Sequence, residues 1–381
     1  MKVGKLPRNR HTRFYDESGR LLREELFGTE SFDGIYSLLY HYYEPTAVLG
    51  YSEATEWSRD EWKLPTYRHH HLRTRLLNSG GDFLDARRLL AFNDDVAIYF
   101  LNPDRASERL FRNASGDELY FVHKGEVKLT SVFGLNTARE SNYLYIPRGT
   151  TYNMSTAENT QCLLIESNGP LRLPQRYLNR SGQLTENAPF YTRDIRPPEG
   201  PVFFKDTHET DVTIKLAGRT VDYTLSHNPF DVVGWDGYLY PYSLDTQDIA
   251  PLTGKLHQPP TVHETFTGTG FMVGTFVPRK LDYHPMAVPV PYYHSNIDSD
   301  ELIFYSRGTF MSRKGVEEGS ITLHKRGVHH GPQPGVVEAS FGKDETDELA
   351  VMVETYRPLL LGEAAQRIDD SSYPLSWGRQ D

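Results

Sequence analysis

A single cysteine, Cys162, stands in 381 residues, so neither an intrachain disulfide nor a thiolate metal cluster can be built from this chain. It is expected to be a small buried hydrophobe in a reducing compartment. No stretch approaches the ~20 consecutive apolar residues that cross a bilayer, and no membrane partner is expected. Basic residues are outnumbered: 41 Lys and Arg against 51 Asp and Glu leave a formal charge of −10, which argues against a nucleic-acid partner. The opening residues, MKVGKLPRNRHTRF, have no apolar core and no small-residue cleavage site, so the expected location is the cytoplasm. Helical periodicity is also scarce, and the segment from Ser58 to Leu90 is the one place where a helix is predicted.

What is abundant points to strands. With 30 Gly, 24 Pro, 24 Tyr and 19 Phe, the chain reads as many short strands separated by turns. Strand-like runs include VAIYFL (96–101), ELYFVHKGEVKLTSVF (118–133), GFMVGTFVP (270–278), ELIFYSRGTFMS (301–312) and ELAVMVETY (348–356). A proline- and arginine-rich stretch between Pro174 and Pro201 places a domain boundary near residue 195, giving units 1–195 and 196–381.

The two units share an internal repeat. Asp117–Gly125 (DELYFVHKG) aligns with Asp300–Gly308 (DELIFYSRG) at five identities in nine positions. Downstream, Tyr143–Tyr152 aligns with Ile321–His330, setting Arg148-Gly149 over Arg326-Gly327. Each copy runs acid, strand, Gly turn, strands, second Gly turn. This resembles the cupin family, a small jelly-roll barrel, so the expected fold is an all-β bicupin: two tandem double-stranded β-helix barrels with few helices.

The second copy carries a donor set. His294, Asn296, Glu301 and Gly308 fit the first cupin motif, and Gly327 with His330 fits the second, with Lys325 where the motif has proline. Two imidazoles and one carboxylate converging on one face are the ligands of a non-haem Fe(II) site, though such a set also suits Mn or Ni. The first copy retains Glu118 but has Phe111 and Tyr152 at the histidine positions, so its site is expected to be lost. His329 should point away from its neighbour His330 by strand alternation. His69-His70-His71, flanked by Arg68 and Arg73, cannot all face one centre and is expected at the surface or a subunit contact.

NPFDVVGWDGYLYPYSL (228–244), PYYHSN (291–296), GSITLH (319–324) and HHGP (329–332) resemble the homogentisate 1,2-dioxygenases, and KLHQPP (255–260) resembles a shorter bacterial branch. The resemblance implies extradiol-type, Fe(II)- and O2-dependent ring cleavage of 2,5-dihydroxyphenylacetate to maleylacetoacetate, in tyrosine and phenylalanine catabolism. It places the metal ligands on His294, Glu301 and His330, and a histidine that bonds a ring hydroxyl or the oxygen on His324. It also implies a homo-oligomer, a trimer or pair of trimers. Two positions depart from the family. Asp236 replaces a histidine assigned to acid–base work, and Phe310 replaces a tyrosine that binds the substrate carboxylate. The proton role is therefore assigned to Asp236, with His257 and His263 as alternatives. Tyr293, His257, His263 and Phe310 join His324 as substrate-contacting candidates. A gentisate-like or other hydroquinone substrate, a non-catalytic ligand-binding bicupin and a metal-dependent isomerase remain open alternatives.

Overall fold

The computed structural model describes residues 1–78 and 80–378, and among these every element of any length is a strand. Among the described residues between Ser58 and Leu90 the predicted helix does not form; they hold one 3-10 turn, Thr74–Leu76, between extended segments. Two short α-helices, Val336–Ser340 and Glu363–Gln366, occur near the C-terminal end. No helix among the described residues is long and apolar enough to cross a membrane.

The first barrel is built from two large sheets. One contains the strands Asn142–Ile146, Asp117–Lys124, Gln161–Ser167, Val96–Leu101 and Arg87–Phe92 in that hydrogen-bonded order. The other contains Glu126–Ser131, Thr151–Thr156, Leu110–Asn113 and Thr210–Leu216. Their inner faces share one core, in which Tyr120, Val122, Leu144 and Leu164 meet Phe111, Leu129, Tyr152 and Met154. Cys162 lies in this core, and burial pushes its thiol up to about 12.

The second barrel has a six-stranded wall running Glu264–Gly268, Phe271–Phe276, Leu349–Thr355, Asp300–Arg307, Ser320–His324 and His70–Arg73. Opposite it stand a short ladder, Arg279–Lys280 with Glu345–Thr346, and a single antiparallel bridge joining His294 to His330. The chain is thus an all-β bicupin. Between the barrels, Leu119, Phe121 and Ile165 of one wall pack on Leu302, Phe304 and Val353 of the other. This layer explains why ELYFV and ELIFY read as unbroken apolar runs: strands covered on both faces have no solvent side to alternate with.

The repeat has a physical basis in two matching clasps. The Asp117 carboxylate accepts from the Arg148 backbone N–H and Nε, from the Tyr145 hydroxyl and from the Leu171 N–H. The Asp300 carboxylate accepts from the Arg326 N–H and Nε, from Lys325 Nζ and from the Leu359 N–H. Each buried acid thereby ties its own strand to the later Arg-Gly turn and to a returning segment. The glycines closing the first repeat segment are sterically required: Gly308 has φ +99°, and a Cβ there would lie 2.4 Å from the Asp347 carbonyl oxygen.

We propose from the repeat that two units meet near residue 195, and the sheets trade strands across that point. His70–Arg73 pairs with Ser320–His324, Tyr242–Asp245 pairs with Asn142–Ile146, and Leu360–Leu361 pairs with Arg87–Phe92. The first trade also corrects the expectation for the histidine triplet. His69, His70 and His71 are buried, not at the surface.

A fourth sheet joins Lys2–Gly4, Val232–Gly237, Tyr36–His41 and Arg23–Gly28. Here the FDVVGW segment does structural duty: Phe230, Val232 and Trp235 are core residues, and Trp235 Nε1 donates to the Phe133 carbonyl at 2.7 Å. Asp231 belongs to a buried clamp in which His41 lies 2.7 Å from Asp231 through Nδ1 and 2.7 Å from Glu25 through Nε2. Burial favours the neutral imidazole, but the two carboxylates override it and carry the pKa up to about 9. The folded value lies above the unfolded one of about 6.5, so the clamp contributes fully below that pH and is lost as pH rises through about 9. His41→Gln should therefore destabilise the protein by about 3 kcal/mol near pH 6, by progressively less between about pH 6.5 and pH 9, and hardly at all above that. Unfolding titrations across that range read the difference; a gap that did not change with pH would contradict the clamp.

Candidate metal centre

Strand alternation decides what faces into the second barrel. In Asp300–Arg307, Leu302 and Phe304 point to the inter-barrel layer, so Glu301 and Tyr305 point inward. His294 and His330 are a mutually hydrogen-bonded backbone pair, each N–H donating to the other's carbonyl at 2.9 Å, which brings their rings to 4.2 Å. His330 is buried while His329 is exposed, as alternation requires.

Donor atoms of His294, Glu301 and His330 all lie within 4.8 Å of one another. His294 Nε2 is 3.8 Å from Glu301 Oε2, and His330 Nε2 is 3.7 Å from Glu301 Oε1. Two donors at about 2.1 Å from one ion, 90–110° apart, are roughly 3.0–3.5 Å from each other, so a small ring rotation completes the site. Tautomers fit as well. His294 Nδ1 bonds the Tyr292 carbonyl at 3.1 Å and His330 Nδ1 the Val328 carbonyl at 3.2 Å, leaving a lone pair on each inward Nε2. The buried His330 Nε2 has no partner among the described residues.

Charge states follow the same logic. Burial raises the Glu301 pKa, but the adjacent His294, His324 and His330 side chains win and hold it well below the usual carboxylate range. Burial drives His330 down to about 4 and His324 down to about 3, so both are neutral imidazoles. An ionised carboxylate beside a neutral His330 suits a divalent ion, and His294, whose pKa Glu301 raises, gives up its proton when one binds.

The cavity reaching this cluster is lined by His257, His263, Arg279 and Arg313 beside His294 and Glu301. His257 stacks edge-on to Tyr292 at 5.0 Å, and its buried Nε2 is unpartnered among the described residues. Arg313 is buried, its Nη1 donating to the Gly331 carbonyl at 2.6 Å while Nε is unpartnered among the described residues.

A model of the homogentisate 1,2-dioxygenase N-terminal region matches residues 69–246. A provisionally named dioxygenase of Saccharolobus solfataricus is 48% identical over 383 residues, covering 99% of this chain and 98% of its own. The homogentisate 1,2-dioxygenase of Bradyrhizobium diazoefficiens is 29% identical over 277 residues, which is 68% of this chain and 60% of that enzyme. The chain belongs to the homogentisate 1,2-dioxygenase family. It spans about three fifths of the length of the curated homogentisate 1,2-dioxygenases it matches. Among solved structures it is similar to a cupin barrel protein of Leptotrichia buccalis (TM-score 0.34, 10% identity, 79% of this chain and 100% of that one). It is also similar to Bacillus subtilis oxalate decarboxylase (TM-score 0.36, 11% identity, 80% and 81%).

Within this dioxygenase-family chain, the candidates named from sequence separate into two groups. His294, Glu301, His257 and His263 meet at the cavity. His324 sits behind Glu301, fully buried, with Nδ1 2.7 Å from Glu301 and Nε2 2.9 Å from the Tyr373 hydroxyl. Asp236 does not line the cavity; it is on the fourth sheet, in register with Lys2 and Leu38. Phe310 is packed on Tyr305 with ring centroids 4.8 Å apart, and the phenol lining the cavity is that of Tyr305. Tyr293 is 61% exposed, its backbone and ring pressed against Gly331. Arg313, Arg279 and Tyr373 carry no motif that sequence reading could have used.

In the first barrel a guanidinium stands at the position corresponding to this donor cluster. Arg87 Nη1 bonds Glu118 at 2.7 Å, and Nη2 bonds the Tyr120 and Tyr152 hydroxyls at 2.7 and 3.1 Å. The guanidinium carbon lies 5.1 Å from the Phe111 ring centre. A fixed cation thus sits among the three counterparts of Glu301, His330 and His294.

Proposed function

We propose that the chain is an Fe(II)-dependent ring-cleaving dioxygenase that converts homogentisate to maleylacetoacetate. The observation that carries this reading is the convergence of His294, Glu301 and His330 at the end of a cavity lined by arginine and histidine. Iron(II) held by those three side chains would supply Lewis acidity toward a ring hydroxyl and a place for O2. Three protein ligands leave coordination positions open on the cavity side. His257, which burial shifts toward the neutral imidazole and whose Nε2 is unpartnered among the described residues, takes the hydroxyl proton in place of Asp236. Arg313 and Arg279 face the same space and hold the carboxylate, the task that Phe310 cannot perform.

Purified protein reconstituted with Fe(II) should consume oxygen equimolar with homogentisate and form a ring-opened product visible by absorbance. Gentisate and unsubstituted hydroquinone, run alongside, separate the homogentisate assignment from its relatives; no uptake with any of them would defeat the dioxygenase reading. Arg313→Met should raise KM for the carboxylate-bearing substrate about ten- to a hundredfold while kcat changes less, the loss of one charge-assisted hydrogen bond. An unchanged KM in steady-state assays would remove Arg313 from substrate recognition.

A further inference from the structure

The C-terminal segment closes the back of the metal cluster. Asp369 and Asp370 anchor it through His70 and Arg73, Gln333 Nε2 donates to the Ser376 hydroxyl at 2.6 Å, and Trp377 Nε1 donates to the Gly331 carbonyl at 3.1 Å. Tyr373, 3% exposed, is thereby held with its hydroxyl on His324.

The chain of hydrogen bonds has a defined direction. A carboxylate that ligates an ion can only accept, so His324 Nδ1 carries the proton and donates to Oε1 at 2.7 Å. In that tautomer Nε2 is a lone pair, and the Tyr373 O–H donates to it at 2.9 Å. Both nitrogens of His324 are then committed, and the ring is stacked on His330 at 4.5 Å and 16°. No nitrogen is left for a substrate hydroxyl.

We propose that Tyr373 is a positioning residue of the metal centre, acting through His324 to fix the tautomer that orients the Glu301 carboxylate. It does not touch the substrate. The inference rests on the reading of His294, Glu301 and His330 as metal ligands. Hydrogen bonds to ligating side chains typically carry a tenfold to hundredfold effect on metal affinity, because they set the angle at which a ligand meets its ion.

Co(II) titration of the full-length protein tests this, since visible d–d bands report both occupancy and ligand geometry. Tyr373→Phe keeps the ring and removes the hydroxyl. The expected result is Co(II) affinity weakened about ten- to a hundredfold with altered d–d bands, and KM for the aromatic substrate unmoved. His324→Asn keeps an amide N–H for Glu301 but no longer reaches Tyr373. In that background Tyr373→Phe should add nothing, the signature of two residues acting as one unit. Wild-type affinity and bands in Tyr373→Phe, or additive effects in the double variant, would overturn the positioning role alone. A wild-type protein that binds no Co(II) would overturn the metal centre and this inference with it.

Discussion

Glu301→Ala is expected to leave the protein folded and unable to retain a divalent ion. Glu301 supplies the only negative charge among the three ligands, and the two remaining donors are imidazoles. The loss should exceed the roughly tenfold to hundredfold that follows when a ligand merely loses a hydrogen bond. Stability of the ion-free protein should fall modestly, because the buried His324 Nδ1–H loses its acceptor. Glu301→Gln, with the same shape and no charge, should behave like the alanine variant. Metal analysis after dialysis and oxygen uptake together read the result; a variant retaining metal and turnover would show that the ion is held elsewhere.

Arg87→Met should have the largest effect on stability, on the order of 3–5 kcal/mol, as expected when one member of a buried ion pair is removed. Glu118 would keep only the Tyr152 hydroxyl at 2.6 Å and the more distant Asn113 amide, while Glu166 would keep Lys215, 2.5 Å away, and that amide. The melting temperature of the first barrel should fall by about 10 °C. Glu118→Gln in the same chain should recover much of the loss, because the charge left without a partner is then gone. If the single variant melts with wild-type protein, the guanidinium is not what holds this barrel's centre together.

The repeat and the ligand spacing were legible because both are local. Asp117 and Asp300 each act within some 30 residues of the arginine they clasp, and cupin spacing already separates His294, Glu301 and His330 by strand and turn lengths. What was hidden depends on contacts between distant parts of the chain. His70–Arg73 is an edge strand only because it finds Ser320–His324, about 250 residues away. The same trade buries His69, whose Nδ1 accepts from the Lys325 N–H at 3.1 Å. Tyr373 reaches His324 from a segment with no regular pattern. Asp236 was visible as a departure from the family, yet its place on the fourth sheet depends on pairing with Lys2 and Leu38, which no local motif announces.

The most direct test is an anomalous-scattering map from crystals of the metal-loaded protein, collected at the absorption edge of the bound ion. One peak per chain is expected, about 2.0–2.3 Å from His294 Nε2, from His330 Nε2 and from a Glu301 oxygen. A well-ordered second barrel with no peak among those three side chains, or a peak on other residues, would contradict it.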